Sequence, residues 1–198
     1  MMSLLERLRA ETRSQHEQTE QLLYSEALRT GTVSVSQYQH LLLTHLAYHS
    51  ALEEAIDQHP AFFDAYEPHN RRKTDWLLAD LTPLSSVPPV SSSDVFADWT
   101  PVELLGAAYV GEGSMLGGKT VWHYLQQSSA LLPYLENARF YRGYGPETGQ
   151  KWRAFGLFVT QQGAPQPDDI VQAAGRAFKA YQTLFQRTLP YLSGAPAI

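Results

Sequence analysis

His16 sits in the stretch LRAETRSQHEQTE (8–20), where side chains able to do chemistry recur at helical intervals. Arg9 precedes it by seven residues and Glu20 follows it by four, which places the three along one helix face. An imidazole can bind a metal through one nitrogen while the other donates to a carboxylate, and Glu20 is placed to accept that bond and fix the tautomer. Arg9 is placed to hold an anionic group. On spacing alone a half-buried histidine among solvated charges is the better reading, and the pattern is a weak signal by itself.

A second candidate is GEGSMLGGKT (111–120), with four glycines inside an expected long helix. Each costs ~1 kcal/mol there relative to alanine. Either the missing side chains let a flat ligand approach the backbone, with a bend in the helix, or they allow close helix–helix packing. Gly113, Gly118, Lys119 and Thr120 also fit the phosphate-cradling pattern G-x-x-x-x-G-K-[ST]. That chemistry needs a strand entering the loop within a parallel sheet, and the preceding ELLGAAYV continues a helical pattern, so nucleotide binding is the weaker reading. A third set, His45, His49 and Glu53, stacks at four-residue steps. Neither H-E-x-x-H nor paired Glu-x-x-His motifs accompany it, which favours a structural hydrogen-bond network over a metal ladder. No G-x-S-x-G elbow supports a hydrolase.

The elements that must carry these groups read as helices. Leu4, Leu5, Leu8, Thr12, His16, Thr19 and Leu23 follow three- and four-residue steps, predicting one helix that turns His16 inward. A second is expected from Ser36 as N-cap to about residue 58, with Pro60 ending it, and a shorter one over 71–81. TPLSSVPPVSSS (82–93) reads as a loop. Thr100-Pro101-Val102-Glu103 resembles a capping box opening a helix through Leu125. Pro146 is expected to start another helix, and Asp168 or Asp169 the last, closed by Pro190. No βαβ alternation or internal repeat appears, so the expected fold is an all-α, single-domain helical bundle over residues 1–198.

Composition narrows the chemistry further. The net charge of −5, without a basic run, argues against nucleic acid. The absence of cysteine excludes disulfides, thiolate metal sites and Cys nucleophiles. Charges at Glu6, Arg7, Arg9 and Glu11 interrupt what a signal peptide would keep apolar, and no stretch approaches the ~20 residues of a membrane span. A cytoplasmic protein that does not insert into a membrane is expected.

Taken in order, these segments resemble the heme oxygenase family over almost the whole chain. LRAETRSQHEQTE (8–20) is similar to the family's proximal segment, with Thr12 and Glu20 four residues either side of the histidine. YQHLLLTHLAYHSALEEAI (38–56) is similar to the next helix, and YVGEGSMLGG (109–118) to the glycine-rich distal helix in its bacterial form. FYRGYGPETGQKWRAF (140–155) and AAGRAFKAYQTLFQ (173–186) also resemble bacterial members.

The resemblance implies an enzyme that takes heme b as both cofactor and substrate. His16 would be the axial iron ligand, with Glu20 and Thr12 beside it, and Gly113, Gly117 and Gly118 would line the distal face. With O2 and electrons from an external ferredoxin- or reductase-type donor, the ring would open to biliverdin, carbon monoxide and ferrous iron, the product passing to a biliverdin acceptor. Arg9 is the first choice for a heme propionate, ahead of Lys119, Arg176 and Lys179. Ser114 stands where animal members carry a distal Asp that orders water, and His49 is a candidate to compensate. Ser114 leaves open a non-catalytic heme-binding protein, and the fold also carries thiamin-degrading and cofactor-maturing enzymes.

Overall fold

The computed structural model describes residues 2–84 and 94–193, and among these every regular element is helical. Short helices open the chain: α1 (Leu4–Glu11), α2 (Arg13–Leu22) and α3 (Ser25–Thr30). The long α4 (Val35–Asp57) leads into α5 (Pro60–Phe63) and α6 (Thr74–Leu81). Then come α7 (Pro101–Leu125), α8 (Leu132–Leu135), α9 (Thr148–Gly163) and α10 (Pro167–Thr188). Residues 85–93, most of the expected loop, lie outside the described residues. No helix among the described residues is long and apolar enough to cross a membrane.

Helices α7 and α10 form the central pair. At their crossing a Cβ on Gly106 would lie 2.5 Å from the Ala174 nitrogen and 2.7 Å from the Ile170 carbonyl oxygen, so the two backbones touch. Helix α4 packs on both, with Tyr48 donating to the Ala107 carbonyl at 2.9 Å. Phe63, Phe96, Phe155 and Phe158 fill the core at one end, and Tyr38, Leu42, Leu77 and Phe140 fill it at the other.

Several expected boundaries move, each for a local reason. The first helix is two helices, because helical dihedrals fail at Thr12 (φ −100°, ψ 7°), whose hydroxyl donates back to the Leu8 carbonyl at 2.6 Å. Such back-bonding bends helices. The apolar spacing runs on unbroken because Leu4, Leu8, Thr12 and Thr19 stay buried on both sides of the break. Helix α4 is capped by Ser34 rather than Ser36: Gln37 donates its N–H to Ser34 Oγ at 3.1 Å, and its side-chain oxygen accepts from the Ser34 nitrogen at 2.9 Å. The box at Thr100 forms as expected, with Glu103 as its partner. A tight turn over Gly145–Glu147 delays α9 to Thr148, and α10 opens one residue before Asp168, at Pro167.

Candidate functional site

Helix α2 lies mainly against α10 and buries little of itself. His16 therefore does not point into the core; its side chain is 56% exposed, with the ring edge against Phe178 of α10 at 5.7 Å. Glu20 Oε2 stands 3.6 Å from Nδ1, close enough to bias the tautomer and leave Nε2 for a ligand. Thr12 is spent on its own backbone. Arg9 is exposed and makes no ion pair among the described residues. Its charge and the Thr12 hydroxyl act on the half-buried Tyr109 of α7, whose phenol burial nonetheless pushes up. Tyr109, which the sequence did not single out, thus marks where the Thr12 hinge meets α7.

The glycines of α7 divide by what a side chain would meet. Around Gly113 and Gly117 an added Cβ would find nothing within 4 Å, leaving two turns of bare backbone one turn apart on an open face. That bare backbone leaves room for a flat ligand, and the exposed His16 imidazole is a donor of the kind heme iron takes. Gly111 and Gly118 serve packing instead: a Cβ would lie 3.3 Å from His49 Cε1 at the first and 3.4 Å from the Tyr141 carbonyl oxygen at the second. Close packing thus accounts for Gly111 and Gly118 but not for Gly113 and Gly117. Ser114 donates to the Gly111 carbonyl at 2.6 Å, and Lys119 is exposed beyond the glycines. Residues 113–120 remain helical, so their N–H groups are consumed by the helix ladder and cannot cradle a phosphate.

Behind that open face lies a buried charged group that no motif announces. Glu112 is buried, bound by Arg71 at 2.9 Å and Lys73 at 2.5 Å, and accepts from the hydroxyls of Tyr66 (3.1 Å) and Tyr144 (3.0 Å). Burial pushes its carboxyl up, but the two cations and the phenols outweigh that and hold it below the usual range. Because successive helical residues are 100° apart, burying Glu112 turns Gly113 toward the open side.

The ladder on α4 is buried. His45 and His49 stack at 6.0 Å, His45 Nε2 meets the Tyr181 hydroxyl at 3.1 Å, and Glu53 Oε1 accepts from the Lys73 nitrogen at 2.6 Å. His45 Nδ1 and His49 Nε2 have no hydrogen-bond partner, so the expected network is only partly made. A cavity of about 10 Å³, roughly the room of one water, adjoins His49, Glu53, Tyr66, Arg71, Lys73 and Gly111. Among the described residues no cluster of side chains suits a metal ion.

Burial pushes His45 down to about 3 and His49, also repelled by Lys73 and His45, well below its ordinary value. Both are neutral when folded, whereas the unfolded chain takes up protons below pH ~6.5, so stability is full above that pH and falls as pH drops. Urea unfolding of the heme-free protein should lose about 1.4 kcal/mol per histidine between pH 7.5 and 5.5, about 3 kcal/mol for the pair. His49→Gln should halve that slope; a pH-independent stability would refute the assignment.

Arg176 is elsewhere engaged, with Nη1 on Glu103 Oε1 at 2.6 Å and its guanidinium 4.3 Å over Trp99. Lys179 is exposed on the same helix.

A family model described as "Heme oxygenase" matches residues 2–187. A heme oxygenase from Xanthomonas campestris pv. campestris (strain 8004) is 28% identical over 165 residues, covering 80% of this chain and 94% of that protein. Among solved structures, heme oxygenase from Leptospira interrogans superposes with a TM-score of 0.78 at 19% identity, over 94% of this chain and 100% of the other. The NO- and CO-bound heme oxygenase of Neisseria meningitidis gives 0.75 at 20% identity, over 100% of this chain and 98% of the other. At those identities the structures speak for the fold.

Proposed function

The chain belongs to the heme oxygenase family, and from that premise we propose that it acts as one domain that binds heme b between α2 and the bare backbone of α7 and opens its ring. The observation that carries the reading is the empty space around Gly113 and Gly117. Heme, once bound, supplies the iron that activates O2 and the ring that is cleaved to biliverdin, carbon monoxide and ferrous iron. The protein supplies geometry and electrostatics.

His16 would hold the iron through Nε2, with Glu20 Oε2 standing 3.6 Å from Nδ1 on the other side of the ring. Phe178 fixes the ring from its edge. Gly113 and Gly117 would let the backbone of α7 lie against the distal face, Gly118 instead seating α7 on Tyr141, and Thr12 holds the hinge between α1 and α2. Arg9, unpaired and next to Tyr109, is the best placed cation for a propionate, followed by Lys119; Arg176 would first have to leave Glu103. His49, buried and with Nε2 unpartnered beside a one-water cavity, is the group placed to hold a water next to Gly111, the part the distal Asp plays in animal members. Ser114 Oγ, its proton donated to the Gly111 carbonyl, keeps its lone pairs for a donor on the distal side. Electrons come from a ferredoxin- or reductase-type donor in the cytoplasm, and a biliverdin acceptor takes the product.

Hemin titration followed by ascorbate in air tests this. Wild type should develop a Soret band that gives way to biliverdin absorption. His16→Ala should lower turnover on the order of 100-fold, at least what loss of a ligand's own hydrogen-bond partner costs at a metal site. A Soret band that persists without biliverdin would identify a heme-handling protein, and no band at all would overturn the reading.

A further inference from the structure

We infer that Tyr24 is a positioning residue for the axial histidine, its hydroxyl bond to His40 pinning the end of α2 to α4 and α10. The inference rests on His16 being the iron ligand. Tyr24 follows α2 in a left-handed conformation (φ 55°, ψ 37°), which disfavours side chains other than glycine's hydrogen. Seven residues later the chain uses Gly31 (φ 66°) for the corresponding stop after α3. A tyrosine at the first of these stops points to its side chain as the reason.

That side chain reaches a fully buried histidine. Tyr24 Oη lies 2.6 Å from His40 Nδ1, and His40 Nε2 lies 2.8 Å from the Phe185 carbonyl oxygen. A carbonyl only accepts, so Nε2 carries the proton and Nδ1 must accept from the tyrosine. Burial lowers the His40 pKa, which keeps the ring neutral and the relay in this direction. The Tyr24 ring also meets Phe185 at 5.6 Å.

Helix α10 relates this relay to the ligand. Phe178, Gln182 and Phe185 lie at four- and three-residue steps on one of its faces. Phe178 meets the edge of His16, Gln182 donates to Thr19 Oγ1 at 2.9 Å, and Phe185 is bound to Tyr24 through His40. The same stripe therefore grips α2 at its start, middle and end. The last two grips are directed bonds, and the last also ties the end of α2 to α4 through His40.

Tyr24→Phe keeps the ring and removes the bond; His40→Gln, which keeps a donor for Phe185, is the companion variant. In the heme-free protein, amide exchange over residues 18–23 should speed up about tenfold while α7 is unchanged. In the hemin complex, the ferrous iron–imidazole stretching band in resonance Raman should shift or broaden, and hemin should leave about tenfold faster. An unaltered stretching band and off-rate in both variants overturn the positioning role, whatever exchange shows. If instead His16→Ala keeps the wild-type hemin spectrum, the ligand assignment falls and takes this inference with it.

Discussion

Glu112→Ala should cost the heme-free protein about 3–5 kcal/mol, a large part of a domain's whole stability. The loss comes from what stays behind. Arg71 and Lys73 side chains are 3% and 2% exposed, and without the carboxylate two cations remain buried with no ion-pair partner among the described residues. The Tyr66 and Tyr144 hydroxyls lose their acceptor as well. Replacing all three charged residues by apolar ones of similar volume should be far milder, since burying an ion pair already carries a desolvation penalty. Urea denaturation at pH 7.5 measures both. A single-variant loss under about 1 kcal/mol would show that water reaches the cluster. Function follows from stability here, because the bonds that bury Glu112 also set the rotation of α7 that exposes Gly113 and Gly117.

Those glycines give the second large effect, with opposite signs at different positions. Gly106→Ala would drive a methyl group into the α10 backbone, where neither the Ala174 nitrogen nor the Ile170 carbonyl can step aside. It should destabilise the heme-free protein by about 1–3 kcal/mol. Gly117→Ala meets no protein atom and should stabilise the heme-free protein by up to ~1 kcal/mol through helix propensity. Its cost falls on the ligand. Gly117→Leu should weaken hemin binding by at least about tenfold, or ~1.4 kcal/mol, with the helix intact by circular dichroism. Equal hemin affinity in wild type and Gly117→Leu would mean that the plane does not lie on this face.

The contrast also shows how far the residues could be read before the structure. Helices α4, α7 and α10 were legible because their long apolar runs and bounding prolines are local, though only at Thr100 did the expected cap form. The break at Thr12 was not, since burial on both sides leaves the periodicity intact. Helix α3 was hidden by Tyr24, which takes a backbone conformation that sequence associates with glycine. At the candidate site, His16 and the open glycines stand out through composition and order. Glu112 looks like a surface charge between two glycines, and its partners lie about forty residues away, in a segment without a motif. Arg176 shows the same limit: a free guanidinium in the sequence is already paired with Glu103 in the fold.

The hinge at Thr12 leaves α2 with ten residues and Thr19 as its one buried side chain. A helix that short is marginal in water by itself. Its order is borrowed from α10, and a bond from His16 to iron would add to what holds it. Local folding of α2 and capture of the ligand are then one equilibrium. A lower affinity in a variant of this region can therefore report a melted helix as readily as a lost contact.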